Sequence, residues 1–165
     1  MPIIEGLLHE LDQEAQVTRR LLERINDDHL TWRPHAKART LGELALHIAM
    51  VPGAIAELAM QDQAQVPKFV DPTPKSSEEV LSTHDDSIAK AKQTLSGVSD
   101  EVLKSPWRLM HGDRELFSQP KLALLRSIML NHWYHHRGQL SVYLKQLNVP
   151  IPSIYGPSAD ENPFA

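Results

Sequence analysis

The chain predicts an all-α protein, a four-helix bundle with one long crossover and an extended C-terminal tail. Three observations lead there. Apolar residues recur at three- and four-residue spacing in four separate stretches. Helix-start signatures precede two of those stretches, and polar, proline-bearing segments separate or end them. With 165 residues, 41% of them hydrophobic, residues 1–165 read as a single domain with one substantial core.

The first helix follows from Ile4, Leu7, Leu8, Leu11, Ala15, Leu21, Leu22 and Ile25, and ends near Asp27-Asp28. Leu30 to Arg39, with Trp32, Pro34 and His35, breaks the pattern and is a connection. Thr40-Leu41-Gly42-Glu43 then has the form of a capping box, in which the threonine accepts a first-turn N–H and the glutamate reaches back to the cap. On the second helix Leu44, Val51, Ile55 and Leu58 share a stripe, and His47 sits at its edge, able to point inward. Pro52-Gly53 predicts a bend one turn beyond His47, because proline removes a donor and crowds the preceding turn. We read it as a packing kink.

The polar stretch from Gln61 to Lys75 is the long crossover. Ser76-Ser77-Glu78-Glu79 starts a third helix, which Val80, Leu81, His84, Ile88, Ala91, Leu95 and Val98 continue and Gly97 to Asp100 closes. Trp107 to Met110 and Glu115-Leu116-Phe117, flanking His111-Gly112-Asp113, form a small hairpin or an irregular excursion. A fourth helix runs from about Pro120, suited to a first turn, to Gln146 or Leu147. From Asn148 to Asp160 the prolines exclude a helix and imply an extended tail over the bundle.

The chemistry sits late in the fourth helix, in Asn131-His132-Trp133-Tyr134-His135-His136-Arg137-Gly138-Gln139. At i and i+4, His132 and His136 point about 40° apart, close enough to share one ion. Leu122, Leu125, Met129, Trp133, Leu140, Tyr143 and Leu147 form a stripe on the same wheel, with His136 near its middle, so both histidines face the core. His135 lies on the flank and is read as exposed or supporting. The alternative for the pair is two hydrogen-bonded core histidines without a metal. If the second and fourth helices are neighbours, His47 meets the pair and supplies a third nitrogen.

Composition narrows the function. A net charge of −4, a pI near 6.1 and no run of five like charges disfavour nucleic acid as a partner. The chain has no cysteine, which removes disulfides, thiolate metal sites and a cysteine nucleophile. No basic leader precedes an apolar segment and no 18 apolar residues run together, so no membrane association and a cytoplasmic location are the expectation.

His47 within Thr-Leu-Gly-Glu-Leu-Ala-Leu-His-Ile-Ala, His132-x-x-x-His136-Arg137-Gly138-Gln139, and the tail Tyr-Gly-Pro-Ser-Ala-Asp-Glu together resemble the DinB family over essentially the whole chain. The resemblance implies an up-down-down-up bundle with its crossover between helices two and three, and a divalent ion held by His47, His132 and His136. It implies nothing of the similarly named translesion polymerase. Three neutral imidazoles suit Zn, Ni, Fe or Mn and leave coordination positions for a water or a substrate. Better understood relatives resemble transferases and isomerases that use a low-molecular-weight thiol cosubstrate, and family members resemble homodimers. The expected activity is that of a metal-dependent transferase or hydrolase acting on a small molecule, with a metal-bound water as base or nucleophile. The competing expectation is a non-enzymatic stress protein in which the metal staples two helices. Gln139, near the ligand face, is a candidate to orient a ligand, as is Glu43, whose capping duty explains it equally well. Arg137 is read as pairing on a helix or subunit surface in preference to binding an anion, Gly138 as admitting a neighbouring helix, and Trp133 and Tyr143 as packing residues.

Overall fold

The computed structural model describes residues 2–68 and 70–165. Its long helices are α1 (Ile3–Leu22), α2 (Leu41–Met60) and α3 (Ser77–Leu95). A last helical run comprises a short α5 (Lys121–Leu124), a π-helical segment (Leu125–Asn131) and α6 (His132–Gln146); a five-residue α4 (Asp100–Lys104) precedes the hairpin. α2 packs against α3 and α6, and α1 packs against α3 and α6. One apolar cluster, including Leu11, Leu22, Leu44, Ile48, Leu95, Met129, Trp133 and Leu140, fills the space between them.

The helix ends follow the local sequence. Thr40 and Glu43 make both bonds of the capping box, and Ser76 caps α3 by accepting from the Glu79 N–H. α1 begins at a proline and has no local side-chain cap; Asp100, 97 positions away, accepts the Ile3 N–H at 2.9 Å. α6 closes on Asn148, at φ 57°, with the Val149 N–H on the Leu144 carbonyl and the Asn148 N–H on that of Lys145. This is a Schellman motif with asparagine in the position glycine usually takes.

The all-α expectation needs correction. Gln63–Gln65 (β1), Pro106–His111 (β2) and Arg114–Pro120 (β3) form a three-stranded sheet in the order β1-β2-β3, with β1 parallel and β3 antiparallel to β2. Of the two expectations for this excursion the hairpin holds: Gly112, at φ 59°, is the first central residue of a two-residue turn. The parallel strand lies within the crossover, whose polar Gln63-Ala64-Gln65 carries no apolar alternation to announce it.

α2 continues through Pro52, and its neighbours complete what the proline disrupts. Proline gives no N–H to the Ile48 carbonyl, and the Trp133 indole donates to that carbonyl at 3.0 Å. The Gly53 N–H donates instead to Ser87 Oγ at 2.8 Å, and Ser87 donates to the Met50 carbonyl at 3.2 Å. A Cβ on Gly53 would stand 2.9 Å from the Ser87 carbonyl oxygen, so glycine is what lets α2 and α3 come this close. By length and composition α2 is apolar enough to cross a membrane; here it is the central core helix, flanked by α3 and α6.

The tail lies over the helices as expected, tied by Asp160 to Lys145 and to the Ile151 N–H, and by Glu161 to Arg20.

Candidate metal centre

His47 stands two turns into α2, and His132 and His136 occupy the first two turns of α6. The contact between α2 and the last helical run brings the three together: ring centroids are 5.2 Å apart for His47 and His132, 4.6 Å for His47 and His136, and 4.4 Å for His132 and His136. One nitrogen from each lies within 4.8 Å of the others. His136 is buried and the other two are half-buried. His135 is exposed, its ring 5.0 Å from that of His136.

Hydrogen bonds fix the tautomer of His136. Gln139 Oε1 lies 2.7 Å from His136 Nδ1 and can only accept, so Nδ1 carries the proton and Nε2 keeps its lone pair. His132 Nε2, at 2.9 Å, then donates to that lone pair. His132 Nδ1 is buried without a hydrogen-bond partner among the described residues. Shifting the His132 proton to Nδ1 would leave two Nε2 lone pairs beside the buried Nε2 of His47, which has no hydrogen-bond partner among the described residues. An unpartnered imidazole nitrogen facing two others is a donor set that fits a cation.

Electrostatics keep the rings neutral. Burial, reinforced by the Arg39 charge and the neighbouring imidazoles, pushes His47 down to about 4. Burial also takes His136 to about 4 against the opposing Gln139 hydrogen bond, and lowers His132, with the His135 and Arg39 charges adding to it. Neutral imidazole is the form that ligates metal.

The neighbours sort differently from the sequence reading. Gln139 makes the orienting contact. Glu43 commits its carboxylate to the Thr40 N–H at 2.8 Å. Arg137 is not a surface residue: it is 1% exposed, paired with Glu14 at 2.6 Å, bonded to Thr18 Oγ1 and the Tyr155 hydroxyl, and sandwiched by the Tyr134 and Tyr155 rings at 5.0 Å each. It ties α6 to α1 and to the tail. Gly138 is exposed with open space at its Cβ position, so no helix approaches there. Trp133 and Tyr143 pack as read, the latter edge-on to Trp32 at 5.5 Å.

Sequence reasoning missed two features. The π-helical segment ends where His132 begins, and the His132 N–H reaches back to Ser127 rather than to Ile128. A wheel at a constant 100° per residue therefore misplaces residues before 131 relative to the histidines. The second is a cavity of about 500 Å³ onto which His47 and His132 open, lined from α2, the sheet, the crossover and the π-helical segment. No periodicity within one element could reveal a space that four of them enclose.

Comparison with known proteins gives the family and the fold. YrdA of Bacillus subtilis (strain 168), an uncharacterized protein, is 26% identical over 162 residues, covering 96% of this chain and 91% of its own. A DinB-like protein from Bacillus cereus ATCC 10987 superposes with a TM-score of 0.72 at 24% identity, over 92% of this chain and 97% of that one. The DinB-like YjoA of Bacillus subtilis superposes at 0.67 and 21% identity, over 88% and 96%. The model of the DinB family matches residues 4–162, a span that contains all three histidines and the tail, and the chain belongs to that family.

Proposed function

We propose that His47, His132 and His136 hold a divalent ion at an open site, and that the protein is a metal-dependent transferase or hydrolase of a small molecule. The observation that carries this reading is the convergence of three neutral imidazoles, two of which have an unpartnered buried nitrogen and line a cavity. A bound ion would supply Lewis acidity toward a carbonyl or thiol group brought to its free positions. The chain's own part is to keep the imidazoles unprotonated by burial, to hold His136 through Gln139, and to shield one side of the centre with apolar walls. Zn, Ni, Fe and Mn all suit the donor set.

The same proposal includes the up-down-down-up four-helix bundle, consistent with α1 touching α3 and α6 while α2 does the same from the other side. It also includes a cytoplasmic homodimer, and a low-molecular-weight thiol as cosubstrate. A structural staple is the competing reading, since the ligands come from two helices; the adjoining cavity favours the open site.

Elemental analysis of untagged protein tests the centre. One equivalent of metal is expected in the wild type and a loss of most of it in His47→Ala, His132→Ala and His136→Ala. Absence of stoichiometric metal from the wild type, or retention in all three variants, would overturn it. Turnover of esters and electrophiles, with and without added thiols, tests the chemistry; metal-dependent turnover abolished by His47→Ala is the expected result. Inactivity across the panel with full metal occupancy selects the staple.

A further inference from the structure

The walls of the cavity beside the histidines are more selective than the metal centre itself. Ile55 and Leu58 come from α2, Trp107, Leu109 and Phe117 from the two strands of the hairpin, and Ile128 from the π-helical segment. Among its described lining residues there is no Asp, Glu, Lys or Arg. Two of the polar side chains are already engaged: the Trp107 indole donates to the Leu58 carbonyl at 3.1 Å, and the Ser127 hydroxyl to that of Ala123 at 2.7 Å. What is left to address a ligand is the histidine wall and the Gln119 amide, for which no hydrogen bond occurs among the described residues. Arg39, whose charge is felt by all three histidines, is held by Asp71 at 2.8 Å and does not line the cavity.

Away from the histidine wall, a charged ligand body would lose hydration with no charged side chain among the described lining residues to replace it. An apolar body gains with each part of its surface that it removes from water. About 500 Å³ lies within the range of about 300–1,000 Å³ typical of small-molecule sites. We propose that the cavity takes an uncharged, predominantly apolar small molecule that turns one polar group to the histidine wall. Phe117, 46% exposed at the mouth, sets which substituents are admitted. This rests on the cavity being the substrate side of the metal centre. A concave space ending at a cation-ready cluster favours a small molecule over a second copy of the chain at the same apolar rim.

Isothermal titration of the full chain, dialysed against EDTA so that no metal ligates the probe, separates the cases with octan-1-ol, octanoate and octylammonium. Octanol should bind about tenfold more tightly than either ion. Phe117→Glu should cost octanol about tenfold and move the preference toward octylammonium, while Phe117→Leu stays within about threefold of the wild type. Equal binding of the three probes, or octanol binding unmoved by Phe117→Glu, overturns the assignment. So does a rim that proves to be a protein contact, with self-association lost in Phe117→Glu and no octanol binding in the wild type. Metal stoichiometry for Zn, Ni, Fe and Mn, measured on the same preparations before dialysis, keeps the two readings apart. If the wild type lacks stoichiometric metal of any of these kinds but octanol binds as expected, the metal centre fails and the cavity's selectivity stands.

Discussion

At the residue scale the cluster works through protons. Gln139 decides which nitrogen of His136 carries one, so Gln139→Leu should weaken metal binding by about 10–100-fold while leaving the stoichiometry at saturation unchanged. Competition with a chromogenic chelator reads both quantities. The metal-free protein should also respond to acid in a defined direction. His47 and His136 sit near 4 in the folded chain against an ordinary value of 6.5, so between those pH values the unfolded chain binds more protons than the folded one. Their contribution is fully present above about 6.5 and is lost as the pH falls through about 4. Urea midpoints recorded in EDTA should therefore drop over that window, and His47→Gln should flatten the drop. An unchanged slope in that variant would show that other groups dominate. These protonation states were not legible in the sequence, since a wheel places a ring on a face without saying what its two nitrogens meet.

At the element scale the informative case is α2, where Pro52-Gly53 marked a packing kink and the structure supplies the partners. Trp133→Phe keeps the aromatic volume but leaves the Ile48 carbonyl buried without a donor. It should destabilise the protein by about 1–3 kcal/mol in urea unfolding. Gly53→Ala forces a Cβ against the Ser87 backbone and should cost about 1–3 kcal/mol, with Ser87→Ala unable to rescue it because the close atom is the carbonyl oxygen. The Thr40 capping box, the Ser76 cap, the punctuating prolines and the helix end near Gln146 were readable because each signal is local. The π-helical segment was not readable: Leu125 to Asn131 is as compatible with an α-helix, and only its surroundings select the wider turn.

At the scale of the whole molecule Arg137 shows how the centre is anchored. It lies next to His136 in sequence but on the other side of α6, where it grips Glu14 of α1 and Tyr155 of the tail. Arg137→Met should cost about 3 kcal/mol, the lower end for a broken buried pair because Glu14 retains 14% side-chain exposure. Glu14→Gln should cost less, and hydrogen exchange in the Arg137→Met variant should rise in the tail as well as in α6. A rise confined to α6 would mean that the tail is held independently by Asp160 and Glu161.

The sequence by itself determined the helices, the crossover and the i, i+4 histidine pair, because amphipathic spacing and caps are local and cooperative. Residue-type patterns were also enough to bring in His47 through the family resemblance. Tertiary structure alone decided the burial of Arg137, the hydrogen-bond partners of the histidines, the parallel strand and the cavity. Each of those depends on residues from several elements meeting in space, and a linear pattern carries no term for that meeting. A net charge does not foretell which arginine is buried, and no single stripe describes a space lined from four directions.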